Sequence, residues 1–115
     1  MKTNDNSVLN DALLVYCTCP TEDVAEHLAT ALVETKLAAC VNMAGPVRSV
    51  YRWQGQIERE TEILLMIKTT TAAWPALQKN IIELHPYDVP EIIAVPIVMG
   101  NKDYLMWVGE SICAN

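Results

Sequence analysis

Apolar positions change rhythm several times along this 115-residue chain, and each change marks an element. Ala12–Thr18 (A-L-L-V-Y-C-T) is a continuous β-prone run closed by Pro20, the pattern of a buried strand. Val24, Leu28 and Leu32 then recur every four residues, which draws one stripe along a helix. Thr21 is placed to cap that helix, Glu22 and Asp23 suit its positive end, and Lys36 suits its last turn. From Lys36 to Thr70 the chain writes one long hairpin with Gln54-Gly55 at its centre, where glycine takes positive φ freely. Val47, Ser49, Tyr51 and Trp53 lie on one face of the incoming arm, with Arg48, Val50 and Arg52 on the other. Each arm exceeds the roughly 5–6 residues of an ordinary strand, so the tip should project beyond a small domain.

A second helix follows, capped by Thr70 or Thr71, with Pro75 tolerated in its first turn and Trp74, Leu77 and Ile81 as its stripe. It must stop before Pro86. Ile92–Val98 reads as a strand that Pro96 confines to a sheet edge. After a turn at Gly100-Asn101, Tyr104, Leu105, Trp107, Val108 and Ile112 describe a short C-terminal helix. The order βαββαβ makes the fold class α+β and ferredoxin-like, with an antiparallel sheet ordered 4-1-3-2 and both crossover helices on one face. Residues 1–11 read as a flexible lead-in, and 12–115 as a single domain. The central strands, Ala12–Thr18 and Ile63–Ile67, do not alternate apolar with polar residues. The face away from the helices is therefore apolar too, which monomers avoid exposing and which points to a homo-oligomer.

Composition narrows the partners. A net charge of −6 argues against nucleic acid and anionic membrane, both of which select basic surfaces. No apolar run is long enough for a signal core or a membrane span, so a cytoplasmic location with reduced cysteines is expected. Cys17 and Cys19 form C-x-C, while Cys40 and Cys113 stand apart, and no structural zinc spacing occurs. A glycine-rich phosphate loop, an H-E-x-x-H and a serine elbow are also missing, so no enzymatic activity is expected.

The topology brings distant residues to one rim: Cys17 and Cys19, the hairpin tip with Trp53, His85, and Glu91. Five blocks in order, K-L-A-A-C-V-N, S-V-Y-R-W-Q-G, E-x-E-I-L-L-M-I-K-T-T, H-P-Y-D-V-P-E-I and D-Y-L-M-W, resemble the CutA divalent-cation-tolerance proteins over nearly the whole of Ala12 to Val108. That resemblance implies a cytoplasmic homotrimer, similar in architecture to PII signalling proteins, linked to tolerance of copper and other heavy metals. It also implies copper ligation at the positions matched here by Cys17 and His85. Leu84 stands where some members carry a further histidine, which removes one nitrogen ligand.

Thiolate and imidazole suit copper, and Cys19 or Glu91 are the candidates to complete the set. Each residue also has a plainer role. Cys17 reads as a small buried hydrophobe and His85 as a helix-end residue leading into His-Pro-Tyr. Glu91 reads as a solvent-facing carboxylate, and Tyr51 and Trp53 as anchors that pack the arm. Glu58, Glu60 and Glu62 read as a solvated strand face, since like charges at strand spacing repel. Alongside a metal-binding trimer stands a second function: a PII-like regulatory or scaffold trimer that takes a small molecule or a protein partner between subunits.

Overall fold

The structure is a computed structural model that describes residues 11–112. The expected lead-in, apart from Asp11, and Cys113 lie outside the described residues. The elements run β1 (Ala12–Cys19), α1 (Glu22–Glu34), β2 (Cys40–Trp53), β3 (Gln56–Thr70), α2 (Trp74–Leu84) and β4 (Ile92–Pro96), followed by α3 (Lys102–Ser111). All neighbours in the sheet are antiparallel, in the order β2-β3-β1-β4. This is the expected ferredoxin-like arrangement, and Pro96 sits on an edge strand opposite Leu13, where its missing N–H does no harm.

The hairpin dominates the outline. Its arms of 14 and 15 residues stretch the molecule to 56 × 25 × 22 Å. Gln54 and Gly55 turn the chain with φ of 51° and 83°, two consecutive left-handed residues of the kind that match strand twist. The register slips by one residue between Ala44 and Val47. Gly45 occupies the slip at φ 139°, and a Cβ there would stand 3.1 Å from Val47 N and 3.2 Å from Glu62 O.

One face of the sheet builds the main core. Val15, Cys17 and Cys19 of β1 and Ile63, Leu65 and Ile67 of β3 meet Leu28 and Leu32 of α1 and Leu77 and Ile81 of α2. Each large side chain fully buried here contributes about 1.5–3 kcal/mol. Thr21 caps α1 as expected, its Oγ1 accepting from Val24 N–H at 3.2 Å. The stripe is Ala25, Leu28, Ala29 and Leu32, with Val24 half-buried.

Four local expectations are corrected. Lys36 lies beyond the last turn of α1, at φ 62°, where Leu37 N–H reaches back to Leu32 O at 3.0 Å and Lys36 N–H to Val33 O at 3.1 Å. That is a Schellman end, which selects for backbone conformation before charge. Neither Thr70 nor Thr71 caps α2; Ala73 is its N-cap without a side-chain bond, because a turn intervenes and Pro75 removes one of the donors a cap would serve. Strand β4 ends at Pro96, two residues early.

The fourth correction concerns the second face of the sheet, expected to be left for another subunit to cover. Helix α3 packs on β1 and β3, with Leu105 and Val108 buried outside the main core and Tyr104 beside Cys40. Cys40 pairs with Lys68, on the side opposite Ile67, so α3 covers part of this second face. Ile93 and Val95, also on that face, remain 51% and 41% exposed.

Candidate functional site

The end of β1 alternates between two chemistries. Cys17 and Cys19 pair with Leu65 and Ile63 and turn toward the helices, where both are fully buried. His85 ends α2 because Pro86 stops the helix, and it enters the same space with 6% exposure. One ligand atom from each of Cys17, Cys19 and His85 falls within 4.8 Å of the others. Among the described residues this is the cluster with metal-ligand spacing, and it contains both primary candidates and the added thiol.

Each member is already engaged. The His85 Nε2–H donates to Thr18 O at 2.8 Å, and Nδ1 accepts from Tyr87 N–H at 3.1 Å. These bonds define the Nε2–H tautomer and use both ring nitrogens. A hydrogen bond to Cys19, then burial, push the Cys17 thiol far above its ordinary value, with charge at Cys19, Glu91 and Glu62 adding. The same bond lowers Cys19, against the cost of burial. The Cys17 thiol donates to Thr18 O at 3.8 Å, and the opposite directions of the two shifts make Cys19 the better nascent thiolate. The donor set suits a soft ion, but in this conformation the cluster is closed to solvent.

Thr18 faces the other way and begins a groove of about 580 Å³. Tyr51 and Trp53 of β2, Glu62 of β3, and Tyr87, Asp88 and Glu91 of the α2–β4 segment form much of its wall. Glu91 therefore sits here, outside the thiol–imidazole cluster. Along this face Glu60 is exposed and Glu58 half-buried, whereas Glu62 is only 5% exposed. The reason is Tyr87, whose phenol folds over β3 and donates to Glu62 Oε2 at 3.0 Å. Burial and then the Glu62 carboxylate hold the Tyr87 phenol protonated well above its ordinary range. Partial burial, then Glu60, Glu58 and Glu62, also raise Tyr51.

Asp88, Tyr87 and the burial of Glu62 were not singled out from the sequence. The available signal was H-P-Y-D-V-P-E, a segment stiffened by two prolines that delivers a phenol and two carboxylates to the rim where Trp53 arrives.

Residues 13–111 match the family CutA1 divalent ion tolerance protein. The chain belongs to that family. Its relatives include the divalent-cation tolerance protein CutA of Thermus thermophilus, 51% identical over 98 residues that cover 85% of this chain and 95% of that one. The Mus musculus protein CutA is 48% identical over 95 residues, or 83% of this chain, which spans about half of that longer protein (54%). Among solved structures, CutA1 of Oryza sativa superposes with a TM-score of 0.90 at 39% identity, covering 94% of this chain and 99% of that one.

The cytoplasmic expectation is overturned by this comparison. The CutA of Archaeoglobus fulgidus, named as a periplasmic divalent cation tolerance protein, superposes with a TM-score of 0.84 at 37% identity, covering 87% of this chain and 97% of that one. Some CutA1 proteins are therefore placed outside the cytoplasm, and hydropathy along the chain does not assign a compartment. Among the described residues no helix is long and apolar enough to cross a membrane.

Proposed function

We propose that this CutA1 protein contributes to divalent-metal tolerance by binding copper, and secondarily other heavy-metal ions, at Cys17, Cys19 and His85. The observation that carries this reading is the convergence of two thiols and one imidazole within 4.8 Å. Thiolates favour Cu(I), and a bound ion would take the place of the Cys17 proton and of the His85 Nε2–H. Because the cluster is closed, capture requires the His85–Thr18 bond to open, so loading should be slow relative to diffusion. Glu91 is an unsuitable additional ligand from its position on the groove wall.

The working unit we propose is a homotrimer of PII-like architecture. Supporting it are the exposed apolar residues Val50, Trp53 and Ile57 on the projecting hairpin and Ile93 and Val95 on the sheet face that α3 leaves uncovered. A second function is favoured by the groove, whose volume lies within the range of small-molecule sites: a regulatory trimer whose metal effects are indirect.

Competition titration of Cu(I) against a chromogenic chelator, on wild type and on Cys17→Ser, Cys19→Ser and His85→Gln, tests the metal reading. Loss of at least tenfold in affinity in the cysteine variants is expected. Unchanged stoichiometry and affinity in all three would remove copper from this cluster and leave the regulatory reading. Light scattering tests the assembly; a stable folded monomer at micromolar concentration contradicts it.

A further inference from the structure

We infer that the groove between the hairpin and the α2–β4 segment binds an organic cation, a compound carrying primary or quaternary ammonium groups. This rests on the reading of the groove as a ligand site and names the class of ligand it selects.

Glu62 carries the inference. The residue is nineteen-twentieths buried, at 5% exposure, yet it lines the groove. Among the described residues its carboxylate receives one side-chain hydrogen bond, from the neutral Tyr87 phenol to Oε2. No lysine or arginine pairs with it; the ion pair among the described residues is Lys79–Glu83, on the exposed face of α2. A carboxylate withdrawn from water without a counter-charge is costly, and a cationic ligand supplies what is missing.

The rest of the wall fits the same ligand. Asp88 and Glu91 bring the carboxylates to three, and no basic side chain lines the groove. Tyr51, Trp53 and Tyr87 supply aromatic surface. Ammonium groups bind over aromatic faces and against carboxylates, and quaternary ammonium recognition uses aromatic walls of this kind. The volume of about 580 Å³ exceeds what a bare ion fills.

The same geometry argues against a metal ion here. A hard cation draws several oxygens to about 2–2.6 Å. Among the described residues, the groups with metal-ligand spacing are Cys17, Cys19 and His85, and the groove carboxylates do not form such a set. Separated charges and flat apolar walls suit an extended cation better than a point charge.

Calorimetric titration of the purified full chain with putrescine, tetramethylammonium, 1,4-butanediol, ATP and magnesium chloride, at fixed ionic strength, tests the inference. Putrescine and tetramethylammonium should bind, and 1,4-butanediol, the uncharged analogue of putrescine, should not. Glu62→Gln keeps an acceptor for Tyr87 and should weaken both cations at least tenfold. Trp53→Leu, with light scattering to check that the assembly proposed above is kept, should weaken tetramethylammonium at least fivefold. Asp103→Asn removes a charge from α3 and should change neither affinity, which separates the groove from the net charge of the chain.

Equal binding of putrescine and 1,4-butanediol, affinity within twofold in Glu62→Gln, or magnesium bound with the same dependence on Glu62 overturns the assignment. ATP binding that depends on Trp53, without cation binding, overturns the ligand class and leaves the groove as a site. Absence of binding by every probe overturns both.

Discussion

Replacing His85 by alanine cuts the tie between the end of α2 and the end of β1, and the size of the loss tells whether the ring is a strut. Its Nε2–H bond to Thr18 O, at 2.8 Å, lies where both residues are buried. Water cannot stand in for the ring there, so the orphaned carbonyl costs about 2 kcal/mol. The Tyr87 N–H, 3.1 Å from Nδ1, belongs to a half-buried residue. Solvent recovers part of that bond, leaving a loss of about 1 kcal/mol. The tilted contact between the two rings, with centroids 4.7 Å apart, is also lost. That contact adds about 0.5 kcal/mol.

The expected destabilisation of His85→Ala is about 3.5 kcal/mol, or roughly 10–15 °C in melting temperature for a chain of this size. Urea denaturation followed by circular dichroism measures it. Protomer concentration must be held constant, because any assembly enters the apparent stability. His85→Gln retains an amide donor for Thr18 O and should recover more than half of the loss. Nitrogen-15 spectra of the imidazole should place the proton on Nε2. A loss below about 0.5 kcal/mol, the scale of an unremarkable surface substitution, refutes the strut. So does a proton found on Nδ1, and in either case the ring would be free to ligate without rearrangement.

Two further outcomes follow from the backbone and the phenols. Lys36→Gly relieves a left-handed residue at the end of α1 and should stabilise the chain by about 1 kcal/mol, read as an upward shift of the urea midpoint; a downward shift contradicts the Schellman end. Tyr87, Tyr51 and Tyr104 all have phenols raised by burial first and by neighbouring acidic groups second. A raised folded value means their contribution to stability is complete at neutral pH and is lost as pH climbs past the ordinary phenol value of about 10. Stability should therefore fall on the alkaline side, and Tyr87→Phe should flatten that slope. An identical slope in the variant shows that Tyr87 is not responsible.

The fold was legible where local chemistry and the global plan agree. Apolar runs marked β1 and the inner half of β3, Thr21 marked a helix start, Pro86 a helix stop, and Pro96 an edge. Legibility failed where a residue's surroundings come from a distant segment. Glu62, read beside Glu58 and Glu60, looks solvated; only the return of Tyr87 across β3 buries it. The position of α3 was equally hidden, because an amphipathic helix does not announce which face of a sheet it will cover. Cys17 and His85 were recognisable as a pair, but their engagement was not: the bond to Thr18 depends on the exact height at which α2 ends. Lys36 misled because charge at a helix end is a weaker constraint than backbone conformation.

The one-residue slip between Ala44 and Val47 acts on β2 as a reading-frame change. Before it, Cys40, Asn42 and Ala44 share a face with Leu64, Met66 and Lys68. After it, the odd-numbered Ser49, Tyr51 and Trp53 take that face, opposite Glu60, Glu58 and Gln56. Without the slip, Arg48 and Arg52 would point there instead. Guanidinium groups would then lie over the acidic strand and satisfy its carboxylates within the chain. A single residue, housed by Gly45 because no side chain fits, thus decides whether the protein neutralises its own groove or leaves that charge for something else to meet.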